Sequence, residues 1–211
     1  MAGKAKTTNE GTTRTTARQQ RSQATFEAIL AAAGALFDEA GVEATTMDAV
    51  ARRAGVSIGA VYRFFENRDA IVATLTVRFR EVLQEVSIPL FEDESLEREP
   101  EQVIDDFLRG FRHAVDAVPG ARGLLTAAFS HATRPEMEFW SERLDRFIQR
   151  YAPGLSRTRR REVTSTFQLV TATLMAGVSG SGRRIAPRLA EARAVLVGYT
   201  YQLAREASAS R

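Results

Sequence analysis

The sequence contains no cysteine, only two histidines and no long apolar run. Without cysteine the chain forms no disulfide bond and no thiolate metal site. The two histidines do not fall at metal-ligand spacing with neighbouring carboxylates, so the pattern predicts no metal and no cofactor. Because no apolar stretch approaches the roughly eighteen residues that span a bilayer, and no signal peptide is apparent, we expect a cytoplasmic protein without membrane contact.

Acidic charge is scarce at the N-terminus. The whole chain has 29 basic and 26 acidic residues, a net charge of +3, whereas residues 1–22 contain five basic side chains against one acidic, a net charge of +4. This segment lacks apolar periodicity and is predicted to be a disordered arm. Such an arm either contacts the phosphates of DNA or is a solvated tail without function. Arg18 and Arg21 are its candidates for DNA contact.

The rest of the chain repeats apolar residues at the helical spacing, and no stretch shows the alternation of a strand. The pattern predicts an all-α fold. Besides two short helices within residues 45–65, it indicates helices at about 25–40, 68–86, 100–118, 121–131, 133–151, 158–177 and 187–207.

The stretch 45–71, TTMDAVARRAGVSIGAVYRFFENRDAI, is predicted to form two short helices joined at Gly55. Thr45 and Thr46 are candidate N-caps of the first helix, and Ser57 caps the second. Two helices crossing about a glycine turn form the layout that places the second helix in the major groove of DNA. An αα-corner buried in a helical protein is the alternative, but several arginines around one small surface argue against it.

The residues expected on the open face suit base recognition. Gly59 and Ala60 are small and allow close approach, Ile58 and Ala60 can touch thymine methyl groups, and Arg63 can donate to guanine or to phosphate. Tyr62 is a candidate phosphate contact. The candidate DNA-binding residues are Thr45, Thr46, Ser57, Ile58, Gly59, Ala60, Tyr62, Arg63, Phe64 and Arg68, together with Arg18 and Arg21 of the arm.

A family pattern runs through residues 21–71. Its matching residues are Ile29, Leu30, Ala31, Ala32, Leu36, Phe37, Gly41, Thr45, Thr46, Val50, Ala51, Ala54, Gly55, Val56, Ser57, Gly59, Tyr62, Phe65 and Arg68. With these the segment resembles the N-terminal domain of TetR-family transcriptional regulators. Two positions depart from the common form: Ile58 stands where lysine is frequent, and Phe64 where a histidine or tyrosine often meets a phosphate.

The resemblance implies an architecture and a mechanism. After the arm, residues 1–22, it implies a three-helix helix-turn-helix DNA-binding domain at 23–70. A helical effector-binding and dimerisation domain would follow at 71–211. A homodimer would bind double-stranded DNA at a palindromic operator and act as a repressor that a small apolar effector releases. A regulator or activator of the same fold without an effector is the alternative.

Large aromatic residues of the middle helices, with a few polar groups, are candidates for the walls of an effector pocket, although filling the core is the simpler role for each. The pocket candidates are Phe107, Phe111, His113, Phe129, Met137, Trp140, Phe147, Phe167, Gln168 and Thr171. The last helix is apolar around much of its circumference, so it needs two packing partners. Together with the preceding helix it is predicted to pair with a second copy in a four-helix bundle, burial within a monomer being the alternative. The interface candidates are Ala172, Ala176, Leu189, Leu196, Tyr199 and Leu203.

A hydrolase is the distant alternative, because GVSIG, Gly55 to Gly59, matches the G-x-S-x-G pattern of hydrolases, with Ser57 as the nucleophile. That pattern requires a strand before the serine and a histidine beside it. Here a helix is predicted before Gly55, and His113 and His131 lie far along the chain. We therefore expect no enzymatic activity.

Overall fold

The fold is all-α throughout the part of the chain that the structure, a computed structural model, describes: residues 9–92, 98–130, 134–177 and 185–209. Helices account for nearly all of these residues, and the all-α prediction is confirmed. Their bounds are α1 Asn9–Ala40, α2 Met47–Ala54, α3 Ile58–Phe64, α4 Arg68–Glu92, α5 Pro100–Ala117, α6 Ala121–Ser130, α7 Arg134–Tyr151, α8 Arg157–Ala176 and α9 Ile185–Ala209. In these ranges, no helix combines the length and the apolar character that crossing a membrane requires.

The first helix begins well before the apolar pattern does. Residues 9–22, expected as part of a disordered arm, are the first turns of α1. Lengthening an existing helix requires no new nucleus, and the segment from Ala17 to Ala24 is rich in alanine, arginine and glutamine, which favour helix. Because this stretch has no apolar face, periodicity alone could not detect it.

Helices α1, α2 and α3 and the start of α4 enclose a small apolar core. Its fully buried members come from every one of these helices and from the cap of α3: Ile29, Leu30, Phe37, Val50, Ala51, Val61, Phe65 and Ile71. Val61 and Phe65, four residues apart, are the inward pair of the second short helix. This core fixes the angle at which α2 and α3 cross.

Helices α4 to α9 form a second, larger core. Its buried side chains include Phe79, Leu83, Val103, Phe111, Leu124, Leu125, Leu144, Ile148, Val163, Phe167, Met175, Leu196 and Leu203. Pro100 occupies the first turn of α5, as predicted, where its missing N–H costs no hydrogen bond. Because α4 starts beside α3 and continues through the second core, this single helix connects the two cores.

The two cores also meet where α1 crosses the start of α6, and there the backbones touch. A Cβ atom on Gly34 would lie 2.5 Å from the carbonyl carbon of Pro119, and one on Gly123 would lie 2.4 Å from the carbonyl oxygen of Phe37. The Asp38 carboxylate accepts a hydrogen bond of 3.1 Å from the Gly123 backbone N–H in the first turn of α6. Only glycine permits this approach.

Candidate nucleic-acid interface and ligand cavity

The turn between α2 and α3 is fixed by local hydrogen bonds. The Thr46 hydroxyl accepts a bond of 3.2 Å from the Ala49 N–H and caps α2. The Ser57 hydroxyl accepts one of 3.1 Å from the Ala60 N–H and caps α3. Gly55 between them is left-handed, with φ of 67°, which glycine adopts without strain. These contacts determine the direction in which α3 projects.

One face of α3 is open to solvent. Ile58 is 41% exposed and Tyr62 54% exposed, both large side chains that a purely structural helix would bury. Gly59 lies beside them, and a Cβ atom there would meet nothing within 4 Å. Arg63 is exposed on the same face. Ala60 is half-buried at its edge, so the predicted outward set shares one surface.

Two residues predicted to contact DNA lie elsewhere. Thr45 is buried, and its hydroxyl donates a hydrogen bond of 2.9 Å to the Gly41 carbonyl at the end of α1. Arg68 donates bonds of 3.2 and 3.0 Å to the carbonyls of Val42 and Glu43. The buried Thr45 side chain is closed to DNA, so that prediction is corrected. Arg68 secures the loop between α1 and α2, and its contact with DNA stays a prediction.

The remaining arginines near α3 divide into two groups. Arg52 and Arg53 of α2 form ion pairs with Asp48 and Glu39. Arg18 and Arg21 of α1 are exposed beyond the small core. Since the helix extends outward at this point, both arginines remain candidates for DNA contact, now as part of a helix rather than of a disordered arm.

Residues 29–75, which span α1 from its first buried turn to the start of α4, match the family model described as "Bacterial regulatory proteins, tetR family". The match covers the capped turn and the open face of α3, and it confirms the predicted resemblance. Residues 29–75 are therefore a DNA-binding domain of the tetR family.

Solved structures agree at the level of the fold. A γ-butyrolactone receptor described as an ArpA-like protein matches with a TM-score of 0.58 at 21% identity, over 88% of this chain and 99% of that one. CprB, a TetR family protein from S. coelicolor, matches with 0.53 at 23%, over 86% and 98%. The complex of SmeT with triclosan matches with 0.52 at 20%, over 84% and 90%. No curated protein matches the sequence.

The hydrolase pattern within this tetR-family domain has a structural explanation. Ser57 accepts the capping bond of α3, and the segment before Gly55 is helix α2 rather than a strand. His113 is exposed on α5, far from the turn, while His131 lies outside the described residues. The arrangement therefore provides a helix-turn-helix and not a nucleophile elbow, in agreement with the match to regulatory proteins.

A cavity of about 330 Å³ lies between α4, α5, α7 and α8. Six predicted pocket residues line it, namely Phe107, Trp140, Phe147, Phe167, Gln168 and Thr171. The aromatic walls are held by edge-on contacts, with ring centroids 6.2 Å apart for Phe107 and Trp140. The volume is at the lower end of the range typical of small-molecule sites.

Two more pocket candidates, Phe111 and His113, do not line the cavity. Phe111 is fully buried against Phe79, with ring centroids 6.0 Å apart. His113 points to solvent, because its position on α5 is on the face opposite to Phe111. These two predictions are corrected. The side chains of Phe129 and Met137 lie outside the described residues.

Sequence reasoning missed the contribution of α4 to the cavity. Phe79, Leu83 and Phe91 line it, and Arg80 adds a cation at its wall. The spacing of Phe79 and Leu83, four residues apart, was a usable signal. The polar groups are otherwise on α8, where Ser165 and Gln168 accompany a buried Thr171 hydroxyl that finds no hydrogen-bond partner among the residues described.

The predicted dimer residues lie in different environments. Leu196 and Leu203 are only 2% exposed and pack into the core of their own chain, so their assignment to an interface is corrected. Tyr199 is partly buried and stacks on Phe167 at 6.1 Å between ring centroids. Ala172 lines the cavity, and Ala176 and Leu189 are half-buried.

Another face of α8 and α9 is apolar and uncovered in the single chain. Leu169 is 69% exposed and Val195 45%. Gly198, between Val195 and Tyr201, is exposed, and a Cβ atom there would meet nothing within 4 Å. We call Leu169, Val195 and Gly198 the α8–α9 face.

Proposed function

We propose that this protein is a tetR-family repressor that binds a palindromic operator as a homodimer and is released when a small apolar effector fills the cavity. The observation that carries the proposal is the continuity of α4. The helix begins directly after the open face of α3, and its residues Phe79, Arg80 and Leu83 form part of the cavity wall. A ligand in the cavity therefore contacts α4, the helix that directly follows the proposed DNA-reading helix α3.

Base reading is assigned to the open face of α3. Arg63 donates to guanine, the commonest specific contact in the major groove, and Ile58 packs on thymine methyl groups. Gly59 lets the helix backbone come close to the base edges. Tyr62, Thr46 and Ser57 lie at the margins of this face, where phosphates pass, and Arg18 and Arg21 extend the contact along the backbone.

A second copy is proposed to cover the α8–α9 face. Exposed large apolar side chains on two adjacent helices are costly in water, and an open glycine between them permits another helix to approach closely. A dimer would also lengthen the DNA sequence that the α3 helices read. One seven-residue helix reads few base pairs, whereas two related by a two-fold axis read an inverted repeat.

The cavity supports the effector part of the proposal. Its walls are mainly aromatic, with a small set of polar groups on α8 and Arg80 on α4, which suits an apolar compound carrying one polar end. Among the structures of similar fold are a γ-butyrolactone receptor and a complex with triclosan. If effector binding displaces α4 enough to cost about 3 kcal/mol of DNA binding, the affinity falls more than a hundredfold.

The DNA part is tested by selection of duplexes from a randomised pool with the full-length protein. The expected product is an inverted repeat whose half-sites are centred about ten base pairs, or a multiple of that, apart. Replacing Arg18 and Arg21 together by alanine should reduce the slope of log affinity against log salt by up to about 2. Enrichment of no sequence, or of an asymmetric one, would contradict the proposal.

The effector part is tested through Trp140, the single tryptophan of the chain, which lines the cavity. A panel of medium-chain acyl and aromatic compounds is screened for changes in tryptophan emission, and each hit is added to the protein–DNA complex. Hits should release DNA, and Ala172→Leu, which fills the cavity, should abolish the response. Ala117→Leu, at an exposed position of α5, is the control. Hits that change emission without releasing DNA would favour a regulator without an effector.

A further inference from the structure

Arg63 lies over an aromatic ring of its own helix. The central carbon of its guanidinium is 4.8 Å from the ring centroid of Phe64. Within the described residues, its side chain forms no ion pair, unlike Arg52 and Arg53 of the preceding helix. The contact with Phe64 therefore distinguishes this exposed arginine from the two ion-paired arginines of α2.

The ring of Phe64 packs against α1, and that part of α1 is in turn held by α4. It meets Phe26 of α1 edge-on, with centroids 5.8 Å apart, and Phe26 stacks on Phe65 at 5.2 Å. The guanidinium of Arg78 on α4 lies 5.6 Å from the centroid of Phe26 and donates hydrogen bonds of 2.7 and 2.8 Å to the Glu27 carboxylate. The surface under Arg63 is thus anchored to α1 and α4.

Phenylalanine at position 64 cannot bind a phosphate by hydrogen bonding, because its ring has no donor or acceptor atom. What it offers is a face, and a planar guanidinium stacks on such a face by cation–π attraction. An arginine held in this way has fewer rotamers to lose when it meets a base, so more of its contact energy appears as discrimination.

We propose that Phe64 is a positioning residue for sequence recognition: its ring holds the Arg63 guanidinium in the orientation that reads a guanine. This rests on the proposed reading of bases by Arg63. Phe64 touches no base in this arrangement and acts only through its neighbour. Its effect is therefore confined to the base pair that Arg63 contacts.

The test uses the full-length protein and a duplex recovered by selection from a randomised pool, together with its single-base-pair variants. Arg63→Ala identifies the base pair at which discrimination is lost. Phe64→Leu should reduce discrimination at that same base pair about two- to fivefold, the range that a partly exposed cation–π contact supports. Phe64→Tyr, which keeps the ring face, should retain it. In the Arg63→Ala background, Phe64→Leu should change discrimination no further.

Several results would overturn the proposal. An equal loss of affinity on every duplex, or a loss at other base pairs, would make Phe64 only a packing residue. A persistent effect of Phe64→Leu without Arg63 would do the same. If Arg63→Ala leaves discrimination intact, this proposal fails while selective binding by the regulator stands; if the unsubstituted protein selects no duplex, the proposed function fails as well. Thermal unfolding checks each variant, and Phe64→Met replaces Phe64→Leu if the latter does not fold.

Discussion

Gly59 is the residue whose role in recognition can be separated most cleanly from folding. It occupies a helical position, and a Cβ atom there would meet nothing within 4 Å, so the protein's own packing does not require glycine. Gly59→Ala should raise the free energy of unfolding by about 0.5–1 kcal/mol, because glycine is unfavourable inside a helix.

The same position should not tolerate bulk in the complex. Gly59→Leu should fold normally and lose specific DNA binding, since its side chain would occupy the space that the base edges need. Thermal unfolding and titration of the selected duplex measure the two effects separately. Binding of unchanged strength by Gly59→Leu would show that α3 does not approach the DNA at this point.

Arg68 and Arg63 should respond to substitution in opposite ways. Arg68 donates to the carbonyls of Val42 and Glu43, and its removal leaves those acceptors without their charged donor. Arg68→Ala should lower the free energy of unfolding by about 1–2 kcal/mol. Arg63→Ala should leave unfolding unchanged and weaken DNA binding. Chemical denaturation of both variants decides, and equal stability of the two would remove the structural role given to Arg68.

Arg63 and Arg68 also show which roles of single residues the sequence alone does not predict. Arg63 lies in α3 and Arg68 begins α4, and both suit a phosphate equally well by composition. From the sequence, Thr45 and Thr46 are equally good candidates for the N-cap of α2. In the structure only Thr46 caps α2, and Thr45 is buried. Which member of such a pair points outward depends on the crossing angle of the helices, and neighbours in sequence do not determine that angle.

At the scale of the helices, the ion pair of Glu27 and Arg78 joins α1 to α4. The hydrogen bonds from Arg78 lower the pKa of Glu27 below its ordinary value of 4.5. A lowered pKa in the folded state means that the pair stabilises the fold above about pH 4.5 and that this contribution is lost as the pH falls through the lowered value. Because the pair is about half exposed, its contribution should be below about 1 kcal/mol.

Unfolding measured between neutral pH and the acid range tests the linkage. Glu27→Gln should make the stability of the protein fall less steeply below pH 4.5 than that of the unsubstituted chain. Glu66→Gln is the control, because Glu66 is exposed and forms no ion pair among the described residues. Identical acid profiles for Glu27→Gln and the unsubstituted chain would mean that the pair contributes nothing measurable.

Helix positions were largely predictable because each helix carries an apolar stripe at the helical period. Two limits follow from the same reasoning. The first turns of α1 have no stripe and were missed, and α9 is apolar on more than one side, so its inward face was ambiguous. Leu196 and Leu203 proved to face the core, whereas Val195 and Tyr201, one or two positions away, face outward. A rotation of about 100° per residue separates these alternatives.

At the scale of the whole molecule, the α8–α9 face should be the dimer interface. A charge placed in an apolar contact between two copies would be buried without a partner. Leu169→Glu combined with Val195→Glu should therefore give a monomer with unchanged helix content and weakened binding to the inverted repeat.

Light scattering coupled to size-exclusion chromatography measures the state of association. Val77→Glu is the matched control, since Val77 is 48% exposed on α4 and does not belong to the α8–α9 face. This control should remain dimeric. A dimer that survives both glutamates would move the interface elsewhere on the molecule.

Chemical protection of the bound duplex tests most directly the claim that α3 lies in the major groove. Dimethyl sulfate methylates guanine at N7 in the major groove and adenine at N3 in the minor groove. The selected duplex should show N7 protection in two half-sites related by the two-fold axis, and Gly59→Leu should remove it. Guanine N7 atoms that remain fully reactive while the protein is bound would contradict the account.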